Sequence, residues 1–340
     1  MSQERPSVAV VLVNLGTPER PDVPAVRQFL QTFLSDPRVV ELPRWLWWLI
    51  LRLFVLPFRP RRVARLYQSI WMASGSPMRV ILQQQADALQ QYLDAEWPGQ
   101  VQVCTAMTYG SPGVASVLDA LKTAGQLRIL LFPLYPQYSA STTAPVLDQM
   151  AAWMRRQRDI PALRYVHDYH VAPAYISALA QSVRAFWQEQ GQAERMLLSF
   201  HGIPEDYYRK GDPYPDQCQA TAQALAHALA LRPEQWAFSY QSRFGAQVWM
   251  RPYTDVLLQE WGSTGVKSVQ VLSPAFSADC LETLEELAMQ NRTLFLAAGG
   301  ESYAYIPALN ANPLHIAALA AEIRRECAGW IADASLQDHQ

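Results

Sequence analysis

Cysteine is scarce and unpaired in this 340-residue chain: Cys104, Cys218, Cys280 and Cys327 form no CxxC pair. That spacing argues against a disulfide framework and against a cysteine-ligated zinc or iron–sulfur site. An excess of one charge is missing too. With 28 basic and 30 acidic residues the net charge is −2, which gives no electrostatic case for nucleic acid as a partner. No apolar leader is expected, because MSQERPSVAV runs directly into a strand pattern. No apolar run reaches the roughly 20 residues of a bilayer span. HExxH, Walker, post-strand GxGxxG and Gly-x-Ser-x-Gly signatures are also absent, which sets aside zincins, P-loop enzymes, common dinucleotide sites and serine hydrolases. A cytoplasmic enzyme or binding protein is the expectation.

What the chain does have is alternation. Short apolar runs at 8–14, 101–107, 128–133, 196–200, 236–240 and 266–272 read as strands. Between them, 23–34, 80–93, 114–123, 142–156, 216–230 and 253–261 carry helical periodicity. Strands alternating with helices of this length imply βαβ units and parallel sheets, an α/β class. The chain also repeats itself. Leu15-Gly16-Thr17-Pro18 matches His201-Gly202-Ile203-Pro204, and Met107-Thr108-Tyr109-Gly110 matches Ser242-Arg243-Phe244-Gly245. Pro136-Gln137-Tyr138-Ser139-Ala140 matches Pro274-Ala275-Phe276-Ser277-Ala278, in the same order. Two similar doubly wound domains follow, the second starting near Ala178, with a cleft between their strand ends.

The run 196–200 stops at His201-Gly202, so a parallel strand delivers an imidazole to its carboxyl end, the edge where open α/β sheets bind ligands. Such a histidine exchanges protons, holds a transition metal, or is satisfied by a loop carbonyl. Its counterpart in the repeat is Leu15, and that of Asp279 is Ser141, so the scaffold demands a charge at neither place. Residues 277–287 read as a helix. At about 100° per residue, Asp279, Glu282 and Glu286 share a sector of roughly 60° beside Cys280, Leu284 and Leu287. Three carboxylates there can bind a divalent cation or accept protons, each raising the others' pKa. A first turn made acidic by the helix dipole, capped by Asp279, is the alternative. Residues 45–58 hold three tryptophans, broken by Arg52 and Pro57 and followed by Arg59, Arg61, Arg62 and Arg65. This suits a membrane interface or the lip of an apolar pocket, or else a buried helix.

With these residues in view, the chain resembles the ferrochelatases, lyases that insert Fe2+ into a porphyrin to make haem. The likeness runs from VLVNLGTP (11–18) to AYIPALN (304–310). Its most specific parts are LSFHGIP (198–204), GDPYP (211–215), LYPQYSASTT (134–143), YQSRFG (240–245) and ADCLETLEEL (278–287). The resemblance implies two Rossmann-like doubly wound domains with parallel sheets around a porphyrin cleft. They would divide at 1–177 and 178–312, with a helix at 313–328 packing back on the first. It places catalysis and metal handling on His201 and Glu282, and a proton or metal relay on Asp279 and Glu286. Leu15, Tyr138, Ser139, Trp249 and Phe276 would line the porphyrin, and residues 45–58 would form a lip touching the membrane. The implied substrates are protoporphyrin IX and Fe2+, with two protons released, as the terminal step of haem biosynthesis. No prosthetic group is implied. The tail GWIADASLQDHQ lacks cysteine and Ala140 stands where some relatives carry a cluster ligand, so no iron–sulfur cluster is expected. The implied location is cytoplasmic, peripheral at the inner face of the membrane. Departures are Pro274-Ala275-Phe276 in place of Pro-Gly-Phe, and Thr108 where some relatives have arginine. Rival readings are a coproporphyrin ferrochelatase, a cobalt chelatase, or a non-catalytic porphyrin or haem carrier, which has no need of the carboxylates.

Overall fold

Unbroken apolar runs become the inner strands. The computed structural model describes residues 6–245 and 247–331, so the first five residues and the tail from 332 onward lie outside it. Its strands are β1 (Val8–Asn14), β2 (Val101–Met107), β3 (Arg128–Pro133), β4 (Ala162–Tyr165), β5 (Arg195–His201), β6 (Trp236–Gln241), β7 (Ser268–Leu272) and β8 (Ser302–Tyr305). All pair in parallel, in two sheets of order β2-β1-β3-β4 and β6-β5-β7-β8. The shared order shows the internal repeat to be structural, and the expected pair of Rossmann-like doubly wound α/β domains is present. The strand order reverses between β1 and β3, and again between β5 and β7. Those two switch points are where such sheets open a crevice beyond the strand ends.

Both faces of each sheet are covered, which is why the strands read as continuous apolar runs rather than alternating ones. Along β1, Val8, Val10 and Leu12 enter one core while Ala9, Val11 and Val13 enter another. The first of these cores also takes Met196, Leu198 and Phe200 from β5, so one apolar layer joins the two domains. Helices Pro77–Glu96 and Pro173–Gln190 contribute to that layer, and the C-terminal helix Pro313–Glu326 packs on both. The division expected at 177/178 falls inside helix Pro173–Gln190.

The matching glycines of the repeat have a backbone cause. A Cβ on Gly16, whose φ is +115°, would lie 2.0 Å from the Tyr109 carbonyl oxygen. One on Gly202 would lie 2.8 Å from the Gln241 carbonyl oxygen and 3.2 Å from the Trp249 ring. In each half the first strand leaves the sheet so close to its neighbour that only glycine fits.

Two short strands, β4 and β8, carry no apolar run and escape a periodicity reading. The tryptophan-rich segment forms helix Arg44–Ile50 and a π-helical turn, Leu51–Val55. Leu51 and Leu56 anchor it, whereas Trp45, Trp48, Leu53, Phe54 and Phe58 are each more than half exposed. This corrects the buried-helix alternative. No helix among the described residues is long and apolar enough to cross a membrane.

Candidate active site

The loops leaving the switch points enclose a cavity of about 410 Å³. Asn14 to Thr17 run off the end of β1 and Leu134 to Thr142 follow β3, while His201 to Pro204 run off the end of β5 and Ala275 to Glu282 follow β7. One wall is apolar, built by Phe29, Leu30, Phe33, Val63, Leu66 and Ile70 from helices Val23–Leu34 and Arg59–Ile70. Its volume lies in the ordinary range for small-molecule sites, about 300–1,000 Å³.

His201 closes β5 and lines the cavity, and it makes the loop-carbonyl contact that is one reading of it. Its Nδ1 lies 2.7 Å from the Gly202 carbonyl oxygen. A carbonyl only accepts, so Nδ1 carries a hydrogen, and in the neutral ring Nε2 is the nitrogen with the lone pair. Gly202 presses this turn onto β6 and Trp249. Gly202→Ala is therefore expected to cost about 2 kcal/mol, seen as a lowered midpoint in thermal or urea denaturation.

The acidic segment is where the structure departs most from the periodicity. Glu282–Asn291 is a π-helix, closed by i→i+5 hydrogen bonds, and it continues as helix Arg292–Ala297. The wider turn brings every fourth residue nearly into line. Glu282, Glu286 and Gln290 reach the cavity, and Glu285 joins them. Asp279 precedes the helix and turns away from the cavity. Its carboxylate accepts from Thr283 Oγ1 at 2.9 Å, Tyr305 hydroxyl at 2.8 Å and Asn310 Nδ2 at 2.7 Å. It ties the loop after β7 to the chain after β8 and, unlike Glu282 and Glu286, does not line the cavity.

Glu286 is the most perturbed acid in the cavity. Burial pushes its carboxyl up to about 7, and the neighbouring Glu282 and Glu285 charges add to this. Two donors from Ser242 act against the rise: its backbone N–H at 2.8 Å and its hydroxyl. Ser242 holds a left-handed φ of +66°, a strained backbone that aims both donors at one carboxylate.

Other expected residues divide. Leu15, Ser139, Trp249 and Phe276 line the cavity. The Ser139 hydroxyl is committed to Asp212 of the GDPYP motif at 2.9 Å, and the Ala140 N–H reaches the same oxygen at 2.8 Å. Asp212 thus fastens a first-domain loop to the second domain, a role the motif alone did not disclose. Tyr138 lies outside the lining. Side chains alternate along this loop, so Gln137 and Ser139 face inward while Tyr138 stacks flat on His167, ring centroids 4.4 Å apart. Residues missed from sequence include Glu285, Gln290, Tyr67 and Arg59. Arg59 sits over the Phe244 ring at 5.1 Å, spanning the cavity mouth between the domains. Among the described residues, no three histidine, cysteine, aspartate or glutamate groups converge on a metal position. His201 and Glu282 both line the cavity.

Paired doubly wound domains with an imidazole and carboxylates at the switch-point cavity define a protein of chelatase architecture. Solved structures share that fold. "SirB from Bacillus subtilis with Fe3+" superposes with a TM-score of 0.54 at 11% identity, covering 98% of each chain. CbiX, titled the terminal enzyme for biosynthesis of sirohaem in denitrifying bacteria, gives 0.51 at 14% identity over 93% of this chain and 98% of that one. The ferrochelatase family matches residues 7–327. The ferrochelatase of Acinetobacter baumannii is 56% identical over 319 residues, 94% of each chain. That of Psychrobacter cryohalolentis is 54% identical over 326 residues, 96% of each. The chain belongs to the ferrochelatase family.

Proposed function

We propose that the protein is an enzyme, a lyase, that inserts Fe2+ into protoporphyrin IX and releases two protons, completing protohaem. The observation that carries this reading is the placement of an imidazole lone pair and a carboxylate stripe on one cavity, with Glu286 poised near neutral pH. Metal insertion replaces two pyrrole N–H bonds by metal–nitrogen bonds, so two protons must leave from the macrocycle centre. His201 Nε2 and the Glu282 carboxylate accept them or present the metal. Glu286 passes protons or metal on towards solvent. Imidazole and carboxylate both suit Fe2+, a borderline cation. The apolar wall suits a flat ring, and low-polarity surroundings strengthen the charge interactions beside that wall. Iron here is a substrate. The cysteines are dispersed over β2, the helix Tyr214–Ala228, the cavity wall and the end of the C-terminal helix, which supports chemistry without an iron–sulfur cluster.

Anaerobic incubation of the purified protein with Fe2+ and protoporphyrin, followed by absorption, tests the proposal. Conversion to the metalloporphyrin spectrum with turnover is expected. Binding without turnover would mean a carrier. Faster reaction with coproporphyrin or Co2+ would move the substrate assignment to those relatives.

The exposed lip supports a cytoplasmic protein attached peripherally to a membrane. Trp45, Trp48, Phe54 and Phe58 offer apolar surface beside Arg52, Arg61, Arg62 and Arg65, a pairing suited to an anionic lipid interface. Replacing Trp48, Phe54 and Phe58 together by serine should abolish co-sedimentation with vesicles containing phosphatidylglycerol. The melting temperature should hold, since these side chains pack on little else.

A further inference from the structure

Gln241 ends β6 directly beside His201, its register partner on β5. Its carbonyl oxygen accepts from the Gly202 N–H at 2.8 Å, in the turn that orients the imidazole. Its side chain points to the other half of the site. Gln241 Nε2 donates to the Glu282 carbonyl at 3.0 Å, at the first residue of the π-helix. One residue therefore holds the backbone on both sides of the reacting centre.

The amide is itself fixed. Gln241 Oε1 accepts from the Ser199 hydroxyl at 2.7 Å. Ser199 in turn shares a 2.8 Å bond with Thr254, and Thr254 another of 2.8 Å with Ser239. Each hydroxyl has one hydrogen, and Oε1 can only accept. The chain must therefore run from Ser239 to Thr254 to Ser199 to Gln241. Ser199 and Ser239 are 0%, Thr254 1% and Gln241 3% exposed, so no water substitutes for a lost partner. Rotating the amide by half a turn would set Oε1 against the Glu282 carbonyl oxygen, two acceptors in a dry interior. This orientation is the one the network allows.

We propose that Gln241 is the positioning residue that sets His201 and Glu282 at their working separation, through the hydrogen bond from its amide to the Glu282 carbonyl. The inference rests on the chelatase reading for its kinetic consequence, but not for its geometric one. Gln241 touches neither substrate by this account. It acts on catalysis by where it holds Glu282, and misplacement of a catalytic group by a fraction of a bond length is costly.

The test uses the full chain with Gln241→Met, Gln241→Glu and Ser199→Ala. Crystal structures report the Glu282 position, and steady-state kinetics report the result. Gln241→Met keeps the volume and removes the donor. It should shift the first turn of the π-helix and lower kcat about tenfold, the effect of one hydrogen bond, while KM for porphyrin stays within about twofold. Ser199→Ala should act in the same direction and less strongly. Gln241→Glu supplies a rescue that a merely structural role would not show. Its ionised carboxylate repels the Glu282 carbonyl oxygen, whereas its protonated form donates to it, so its kcat relative to wild type should rise as pH falls. A Gln241→Met protein with Glu282 in place and kcat within about twofold of wild type overturns the inference. Absence of metal insertion by the wild type would instead remove the chelatase reading, and the displacement of Glu282 in the crystals would still decide the positioning claim.

Discussion

His201→Ala is expected to lower kcat for metal insertion by about 10²–10⁴-fold, with porphyrin affinity nearly unchanged. The imidazole is the only histidine side chain lining the cavity in the described residues. Its Nδ1–H is tied to the Gly202 carbonyl, so Nε2 cannot easily change role. The apolar wall of the cavity comes from other residues, chiefly on the helices at 23–34 and 59–70, and these are untouched by the substitution. Loss should therefore appear in kcat rather than KM. Added imidazole separates the two duties of the residue. A free base diffusing into the space left by the side chain restores turnover in proportion to its basicity if His201 accepts protons. If His201 presents the metal, rescue follows affinity for Fe2+ instead, and changing the metal changes its extent. A variant with wild-type kcat would remove His201 from the chemistry.

Much of this arrangement is legible in the sequence because it rests on backbone constraints that leave residue-level marks. β1 is buried on both faces along its whole length, so its seven residues read as one apolar run with both ends correct. The two domains announce themselves through Leu15-Gly16 and His201-Gly202, since the same close backbone approach recurs where each first strand leaves its sheet. Histidine in place of leucine at that recurring position is what points to the second half as the candidate for the chemistry. The edge strands β4 and β8 are different. Each has four residues, partly exposed, and nothing in ALRY or SYAY separates a strand from a loop until a neighbouring strand offers a ladder. The π-helix was hidden for a related reason. Apolar and acidic residues at spacings of three and four fit a regular helix, and the wider turn is decided by tertiary partners, Gln241 on the Glu282 carbonyl and Ser242 on Glu286. Asp279 and Tyr138 fall outside the cavity lining by the same limit. Their motifs mark the right loops, but which way a loop side chain turns depends on Tyr305, Asn310 and His167, all distant from them in sequence or set by a separate strand.

Glu286→Gln is expected to lower kcat by about a hundredfold and to remove an acid limb of the pH–rate profile near pH 7. Burial raises this carboxyl to about 7, so in wild type the group gains its charge, and its capacity to take a proton from the macrocycle, as pH rises through that value. Glutamine's carbonyl oxygen replaces one of the two carboxylate oxygens that accept from Ser242, and its NH2 donates to the Ser242 hydroxyl oxygen in place of the other bond. It has no proton to exchange, and the limb disappears with it. The stability consequence runs the other way. Between the unfolded value of 4.5 and the folded value of about 7, the folded state holds a proton that the unfolded chain has released. Stability from this group is therefore complete below pH 4.5 and lost as pH climbs to 7, a loss of roughly 3 kcal/mol in total. Glu286→Gln should match wild type in urea denaturation near pH 4.5 and exceed it by a large part of that amount at pH 8. A protein that became more stable at pH 8 while losing turnover would identify Glu286 as a charge kept in the cavity for the reaction, at the expense of the fold. Unchanged kcat together with an unchanged pH profile would take Glu286 out of the proton path.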